Sequence, residues 1–487
     1  MKLTELIKSL NGSCNCPGLN DFEVSGITCN SGQVQGNFIF VAIKGSRQDG
    51  SAYIDEAIKR GAKAVILAGR QGCPASGDVS FIRVKDTRKV LAKLAARFYG
   101  NPSHKLKVIG VTGTNGKTTI TYLLEALLKE ACVSPAVVGT INCRFKERVF
   151  PSSNTTPGAA QLQSMLSDMS KENIDYCIME VSSHALDQHR TYAINFHSAI
   201  FTNLTQDHLD YHKTLGNYFQ AKARLFEGLS PDAFAIINND DKSAKRLKKI
   251  TKAGVITYGI DKDADIRAQD IKFSVAHTEF LAQTPKEKIC IKSGLIGRHN
   301  VYNMLAVIAW ALEEGIGIPI IKRALEKFTL VPGRLERIDC KGGFSVFVDY
   351  AHTEDALKNI IGTLRQVSAK RIIVVFGCGG ERDKTKRPKM GRVVTELSDY
   401  AIITNDNPRS EDPSGIINDI KRGINKNNYC VIEDRTEAIR KAMSLVEPSD
   451  VVLIAGKGHE EYQILKDKRT HFSDREVARE CLRLMKY

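Results

Sequence analysis

VIGVTGTNGKTTITYLLEALLKEA, residues 108–131, is the stretch whose reading decides the fold. Val108, Ile109 and Val111 make a short apolar run that fits a buried strand. From Lys117 onward, apolar residues return at Ile120, Leu123, Leu124, Leu127 and Leu128, the period of an α-helix. Between them lies Gly113-Thr114-Asn115-Gly116. Glycine there lets the backbone approach a ligand, and N–H groups at a helix start favour an anion. Lys117 can reach the outer phosphates of a nucleoside triphosphate, and the Thr118 hydroxyl can ligate magnesium. The strict pattern for such a loop wants glycine five residues before Gly116; Val111 stands there, with Gly110 one position earlier. A glycine-rich turn without a ligand would leave Lys117-Thr118 with no packing role. Binding of a nucleoside triphosphate is therefore expected.

The rest of the chain narrows what such a site serves. A length of 487 residues fits about three domains, each large enough for its own core. Apolar residues are 42% and charged residues 26%, the balance of ordinary soluble proteins. No apolar run resembles a membrane span. The opening MKLTELIKSLNGS is an amphipathic helix pattern without the apolar centre of a signal peptide, so a cytoplasmic protein with no membrane partner is expected. The net charge of +15 fits either nucleic-acid binding or the handling of polyanionic small molecules. The basic residues are scattered and no stripe is interleaved with aromatics, which favours small molecules and no nucleic acid. The 12 cysteines, among them Cys14, Cys16, Cys132, Cys143 and Cys378, form no CxxC pair and no zinc spacing. Most lie in apolar runs, as Cys177 does in YCIMEV, so free buried thiols in a reducing compartment are expected.

Three units are expected: residues 1–98, 99–332 and 333–487. The first ends near FYGNPSHKLK, where NPSH fits a linker. The second alternates strand and helix signals through YCIMEVSS, SAIFTNLT and AFAIINND, then closes on NVYNMLAVIAWALEEGI and IIKRALEKF. Pro332-Gly333 breaks the pattern. In the third, FSVFVDYAH, RIIVVFGCGG, YAIITNDNPR and DVVLIAGKGHEE are each an apolar strand running into a polar loop. The fold class predicted is α/β in three domains: a central P-loop ATPase-like domain and a C-terminal Rossmann-like parallel sheet, with ligands at the carboxyl ends of the strands.

Three features past the P-loop bear on chemistry. Glu180 ends the strand YCIME, where a nucleotide's magnesium is usually held; a solvated strand-end carboxylate is the alternative. TNLTQDHLDYH, Thr202–His212, gathers two histidines and two aspartates, but lacks the partners zinc would need. A helix start capped by Thr205 or Asp207 would explain it as well. Lys222, in YFQAKARLF, by itself is an ordinary surface lysine on an amphipathic helix.

Together the pieces resemble the Mur ligase family, the ATP-dependent amide-bond-forming enzymes of peptidoglycan synthesis. TGTNGKTT, NTTPG, MEVSSHALDQHR, TNLTQDHLDYH, YFQAKARLF, GRHNVYNMLA, VPGRLERI, DYAHT, GCGGERDKTKRPKMG, DNPRSEDP and GKGHEEYQ come in that family's order over nearly the whole chain. The last three resemble the subfamily that adds the third residue of the stem peptide. The resemblance implies an ATP site at Gly113, Thr114, Asn115, Gly116, Lys117, Thr118 and Thr119, with Asn300 and Asn303 at adenine and Arg334 and Asp349 reaching ATP across the domain gap. It implies two magnesium ions: Thr118 and Glu180 for the first, His208 and a carbamate, formed from carbon dioxide on Lys222, for the second. Lys117, Lys222 and His208 would be the catalytic residues. Ser31, Asn154, Thr155, Thr156, Ser182, Gln188 and Arg190 would hold UDP-N-acetylmuramoyl-L-alanyl-D-glutamate. Arg382, Asp406, Asn407, Pro408, Arg409, Gly456 and Glu460 would hold the incoming amino acid.

The reaction implied passes through an acyl phosphate, with the third domain closing on the second. Arg409 in DNPR is a two-pronged donor matched to a carboxylate, and Glu460 suits a far ammonium group, which favours meso-diaminopimelate over L-lysine. A monomer is expected. Two departures stand out: Asn30-Ser31-Gly32 where the family usually has Asp-Ser-Arg, and Glu354 where proline usually follows DYAHT. Three rivals remain: an L-lysine-adding ligase, a ligase resembling folylpolyglutamate synthase, and a P-loop NTPase switch that hydrolyses ATP without an amine acceptor.

Overall fold

The stretch 108–131 folds as its two periods predict: strand Lys107–Thr112, a tight loop, then helix Lys117–Glu130. We analyse it in a computed structural model that describes residues 1–485, apart from 9, 11–13, 16–18, 46–47, 70–77, 153 and 368–369, and the backbone alone at 14–15. The strand lies in the interior of an eleven-stranded sheet. On one side of it come Phe196–Phe201, Phe234–Asn238, Gly254–Gly259 and Ile266–Phe273, and on the other Tyr176–Glu180 and Pro135–Val138. All these pair in parallel, and antiparallel strands finish both edges. Such runs are apolar throughout because both faces are covered. Lys117–Glu130 and Arg298–Glu313 pack one face, and Ala159–Lys171 and Leu215–Glu227 the other. The loops after the parallel strands therefore open at one end of the sheet, where ligands bind in α/β folds.

Two further sheets flank this one. The N-terminal sheet has the order Cys14–Asn15, Ser80–Val84, Ala62–Ala68, Phe38–Val41, Gly26–Thr28, parallel except for the first strand. Helices Leu3–Lys8 and Thr87–Phe98 pack on it. NPSH is no loose linker: Pro102 and Ser103 are buried, and Ser103 Oγ accepts from Asn195 N at 3.0 Å. The C-terminal sheet has the order Glu336–Ile338, Ser345–Asp349, Val451–Ala455, Ile372–Phe376, Tyr400–Ile403, Tyr429–Val431, all parallel after the first strand. Its strand Val451–Ala455 inserts between two earlier ones, so the loops after Asp349, Phe376, Ile403 and Ala455 converge.

The cysteine expectation needs correction. Cys143, Cys177, Cys378 and Cys481 are buried, but Cys29, Cys132 and Cys290 are exposed. Cys132 has positive φ at 60°, in the turn after the P-loop helix, where an apolar run does not mean a buried side chain. Cys16 and the Cys14 side chain lie outside the described residues.

Candidate active site

Gly113 shows why the P-loop needs glycine. Its φ is +150°, and a Cβ there would lie 1.8 Å from Thr202 Oγ1. The loop is braced by the neighbouring strand end: Thr202 Oγ1 donates to Asn115 O at 2.6 Å, and Asn115 N donates to Asn203 Oδ1 at 3.0 Å. Lys117 Nζ stands over the loop, donating to Gly113 O at 3.0 Å and Thr114 O at 2.9 Å. Burial pushes its ammonium below the ordinary lysine value, and Glu180 and Asp207 oppose that shift. Thr118 and Thr119, in the first turn of the helix, are both buried.

Glu180 is not a solvated strand end. It is 1% exposed, and its carboxylate accepts from Thr118 Oγ1 at 3.1 Å, Thr140 Oγ1 at 2.9 Å and Thr140 N at 2.9 Å. These partners are neutral, and among the described residues no Lys, Arg or His makes an ion pair with it. A buried anion whose hydrogen-bond donors are all neutral suits a further cation beside it, in addition to the Lys117 charge it already feels. Among the described residues no group of three His, Cys, Asp or Glu side chains is arranged for a metal. Magnesium takes few protein ligands and leaves the rest to phosphates and water, so Thr118 and Glu180 fit it.

The helix Leu215–Glu227 carries Lys222 on its buried face, 1% exposed, which overturns the surface-lysine alternative. Nζ donates to Gly113 O at 2.7 Å and lies 4.5 Å from the centre of the Tyr218 ring. Burial, aided by nearby Lys117, pushes its amine far below the usual range. His208 sits at φ +54°, where the short helix Leu209–His212 begins. Neither Thr205 nor Asp207 caps that helix; Asp207 Oδ1 accepts from His208 N at 2.9 Å, and Oδ2 lies 3.4 Å from Nε2. Burial keeps this imidazole on the neutral, ligand-competent side. Burial opposes ionisation of Asp207, but the backbone N–H of His208 and the nearby Lys386 hold its carboxyl below the ordinary value.

A cavity of about 550 Å³ joins these groups to the C-terminal sheet, lined by Thr118, Glu180, His208, Asn300, Arg334 and Asp349 among others. Asn303 Nδ2 donates to Asn300 Oδ1 at 3.1 Å, and Asn300 Nδ2 to Ile296 O at 2.9 Å, so the pair is fixed on the buried helix Arg298–Glu313. Arg334 lies on Tyr350, 4.7 Å from its ring centre, and reaches Thr118 Oγ1 at 3.2 Å. Asp349 accepts from Leu335 N and Ala351 N at 2.5 and 2.6 Å; burial raises its carboxyl to about 6. Asn115 Nδ2 to Asp355 Oδ2 at 3.1 Å and Lys389 Nζ to Gln206 Oε1 at 2.9 Å also bridge the two sheets' domains.

Toward the N-terminal sheet, Thr156 is wholly buried and donates to Glu180 O at 2.8 Å. Ser182 caps the helix Ser183–Asp187 through Ala185 N. Arg190 donates to Gln188 Oε1 at 2.7 Å and to Thr156 O at 2.8 Å. Thr155 Oγ1 accepts from Thr140 at 3.1 Å, and Asn154 is exposed beside it. Ser31 has other partners: its Oγ donates to Glu56 Oε2 at 2.8 Å, and Asn30 Oδ1 accepts from Gly32 N at 3.0 Å. The departing triad is thus a self-contained turn, with Arg60 on Gly32 O at 3.4 Å.

The DNPR loop faces the end of Val451–Ala455. Asp406, Asn407 and Pro408 are buried, and Arg409 is half-buried at φ +54° with Nη1 on Gly380 O at 2.6 Å. A Cβ on Gly379 would lie 3.1 Å from Arg409 Nη1 and 3.8 Å from the Arg382 stem at Cγ; Arg382 itself is exposed. Asn407 Nδ2 donates to Glu460 Oε2 at 2.8 Å. Gly456, at φ +119°, turns close to Asp406, whose Oδ2 would lie 2.7 Å from a Cβ there. Sequence reasoning missed Thr140 under Glu180, Tyr350 under Arg334, and Lys457 under Asn407. DYAHT and GKGHEE held signals for the last two; Thr140 had none.

A P-loop facing a Rossmann-like sheet across one cavity, with the Arg409 loop cluster at the strand ends beyond, defines a nucleotide-dependent ligase. The chain belongs to the Mur ligase family. The family's catalytic domain matches residues 23–99, the Mur ligase middle domain 111–311, and the glutamate ligase domain 333–458. The UDP-N-acetylmuramoyl-L-alanyl-D-glutamate--2,6-diaminopimelate ligases of Clostridium tetani and Clostridium botulinum are each 44% identical to it, over 99% of this chain and 99% and 100% of theirs. A solved structure of a ligase with that name is 32% identical, covers 95% of this chain and 96% of its own, and superposes with a TM-score of 0.66. Among the described residues no helix is long and apolar enough to cross a membrane.

Proposed function

We propose that this chain is a cytoplasmic ATP-dependent ligase that joins meso-diaminopimelate to the D-glutamyl γ-carboxylate of UDP-N-acetylmuramoyl-L-alanyl-D-glutamate. The observation that carries the amino-acid choice is Arg409 over Gly379, in one loop cluster with Asn407, whose Nδ2 donates to Glu460 Oε2 at 2.8 Å. A second carboxylate and its ammonium match that pair of charges; L-lysine offers only the ammonium. The full-length relatives named for this reaction support the same reading.

Residues 1–98 serve the uridine nucleotide, 99–332 ATP and the chemistry, and 333–487 the amino acid. The γ-carboxylate oxygen attacks the ATP γ-phosphorus and ADP leaves. The amine then attacks the acyl carbon, loses a proton, and phosphate departs. Lys117, whose ammonium lies over the P-loop carbonyls, would meet the β- and γ-phosphates and offset their charge. Arg334, tied to Thr118 and Tyr350, brings a second cation from the closing domain. Ser182, Gln188 and Arg190 orient the dipeptide. Thr118 and Glu180 would hold one magnesium ion, and His208 with a carbamylated Lys222 a second; bound there, they would supply charge neutralisation at the transferring group. What supports the carbamate is the Lys222 setting: a buried amine beside Lys117 is driven toward its neutral, nucleophilic form.

The test is phosphate release with ATP and the uridine dipeptide, with and without single amino acids. Release should require both and favour meso-diaminopimelate. Equal or better kcat/KM with L-lysine overturns the amino-acid choice. Use of a folate acceptor instead points to the folylpolyglutamate-type rival, and release without an amine to an NTPase switch.

A further inference from the structure

Lys457 is 0% exposed, yet neither the P-loop chemistry nor Arg409 uses it. Its ammonium donates to Asn407 Oδ1 at 2.9 Å and lies 3.6 Å from both Asp406 Oδ1 and Glu460 Oε2. Tyr462 and Phe472 flank it, at 5.7 and 6.0 Å to their ring centres. A buried cation is costly unless anions and acceptors surround it, and here they do. Asn407 Oδ1 also accepts from Ile464 N at 3.0 Å. With two donors on Oδ1, the amide of Asn407 has one orientation, and its Nδ2 must face Glu460, as it does at 2.8 Å. The hairpin Tyr462–Leu465 with Lys468–His471 fixes the loop from behind, through Arg409 N to Ile464 O at 3.1 Å and Gln463 Nε2 to Asp406 O at 2.9 Å.

The geometry points to Lys457 as a positioning residue for amino-acid binding: through Asn407 it aims the Glu460 carboxylate at the distal ammonium of the incoming amino acid. The inference rests on the reading of this loop cluster as the amino-acid site. It separates two jobs within that site. Arg409 answers the second carboxylate, which only diaminopimelate has. Lys457 and Glu460 serve the ammonium, which diaminopimelate and L-lysine share. The charge balance agrees: Asp406 and Glu460 would repel each other without a cation between them.

The experiment compares wild type, Lys457→Met, Glu460→Gln and the double variant, measuring KM and kcat with meso-diaminopimelate and with L-lysine. Lys457→Met should raise KM for both amino acids by the same factor, roughly tenfold or more, with kcat within about threefold. The double variant should be no worse than Glu460→Gln, because both act on one contact. Asn407→Asp breaks the same relay without emptying the buried site, and should copy the KM effect; it carries the test should Lys457→Met fail to fold. An unchanged KM in Lys457→Met or Asn407→Asp, a loss confined to kcat, or multiplying effects in the double variant would overturn the inference. Failure of the site reading itself shows separately: Glu460→Gln and Arg409→Ala would then both leave KM for meso-diaminopimelate unchanged.

Discussion

Replacing Glu314 by glutamine tests how the central sheet is held beneath the site. Glu314 ends the helix Arg298–Glu313, whose first turns carry Asn300 and Asn303. Its side chain is 6% exposed. Oε1 accepts from Tyr176 OH at 2.7 Å and pairs with Lys107 Nζ; Oε2 meets His197 Nε2 at 2.6 Å. Lys107, Tyr176 and His197 lie at the amino ends of three adjacent strands, whose other ends present Gly113, Glu180 and Thr202. Burial and a helix C-terminus both disfavour a carboxylate there. The three partners more than offset this and lower its pKa from 4.5 to about 2. At about 1.4 kcal/mol per unit, that shift is worth roughly 3 kcal/mol, reduced to about 2 because the Lys107 side of the pair is half-exposed. The sign follows from the depressed folded value. The stability is fully present above about 4.5 and is lost as pH falls toward about 2. Trp310, the only tryptophan, is buried on the same helix, bonded to Ser198 Oγ at 3.0 Å. Urea unfolding followed by its fluorescence therefore reports this domain. Glu314→Gln should lower stability by about 2 kcal/mol at pH 7, and the gap should shrink to less than about half by pH 3. Equal midpoints at pH 7, or a gap independent of pH, would refute the reasoning.

Three other outcomes are expected. Lys222→Ala should cut turnover roughly 10²–10³-fold, with partial rescue by a short carboxylate; near-normal phosphate release would sink the carbamate. His208→Ala should raise the magnesium needed for half-maximal rate about tenfold, so an unchanged titration removes His208 from the metal site. Arg409→Ala should lose at least tenfold in kcat/KM with meso-diaminopimelate, a cost of roughly 2–5 kcal/mol, while L-lysine use stays within about threefold. Equal losses with both amino acids would make Arg409 a support of the loop and no more.

By itself the sequence determined the α/β class, the P-loop turn and the order of the polar loops. Each is written in a local period: apolar runs at strand spacing, leucines at helix spacing from Lys117, glycines between. Exposure and partners were another matter. The helix Leu215–Glu227 is amphipathic with Lys222 on either reading; only packing put that lysine among Tyr218, Ala221 and Leu225 and against Gly113 O, 109 residues away in the chain. Glu180 could be solvated or buried until Thr140, 40 residues earlier, was seen to supply two of its donors. Cys132 was expected to be a buried thiol, but it lies in the turn after the P-loop helix and is exposed. Lys457 stood in a quoted motif, but its partner Asn407 is 50 residues back, on another strand end. Strand order and close packing decide which distant groups meet and which are cut off from water. Neither leaves a period in the chain, so the charge state and aim of these side chains became readable only once the sheets were assembled.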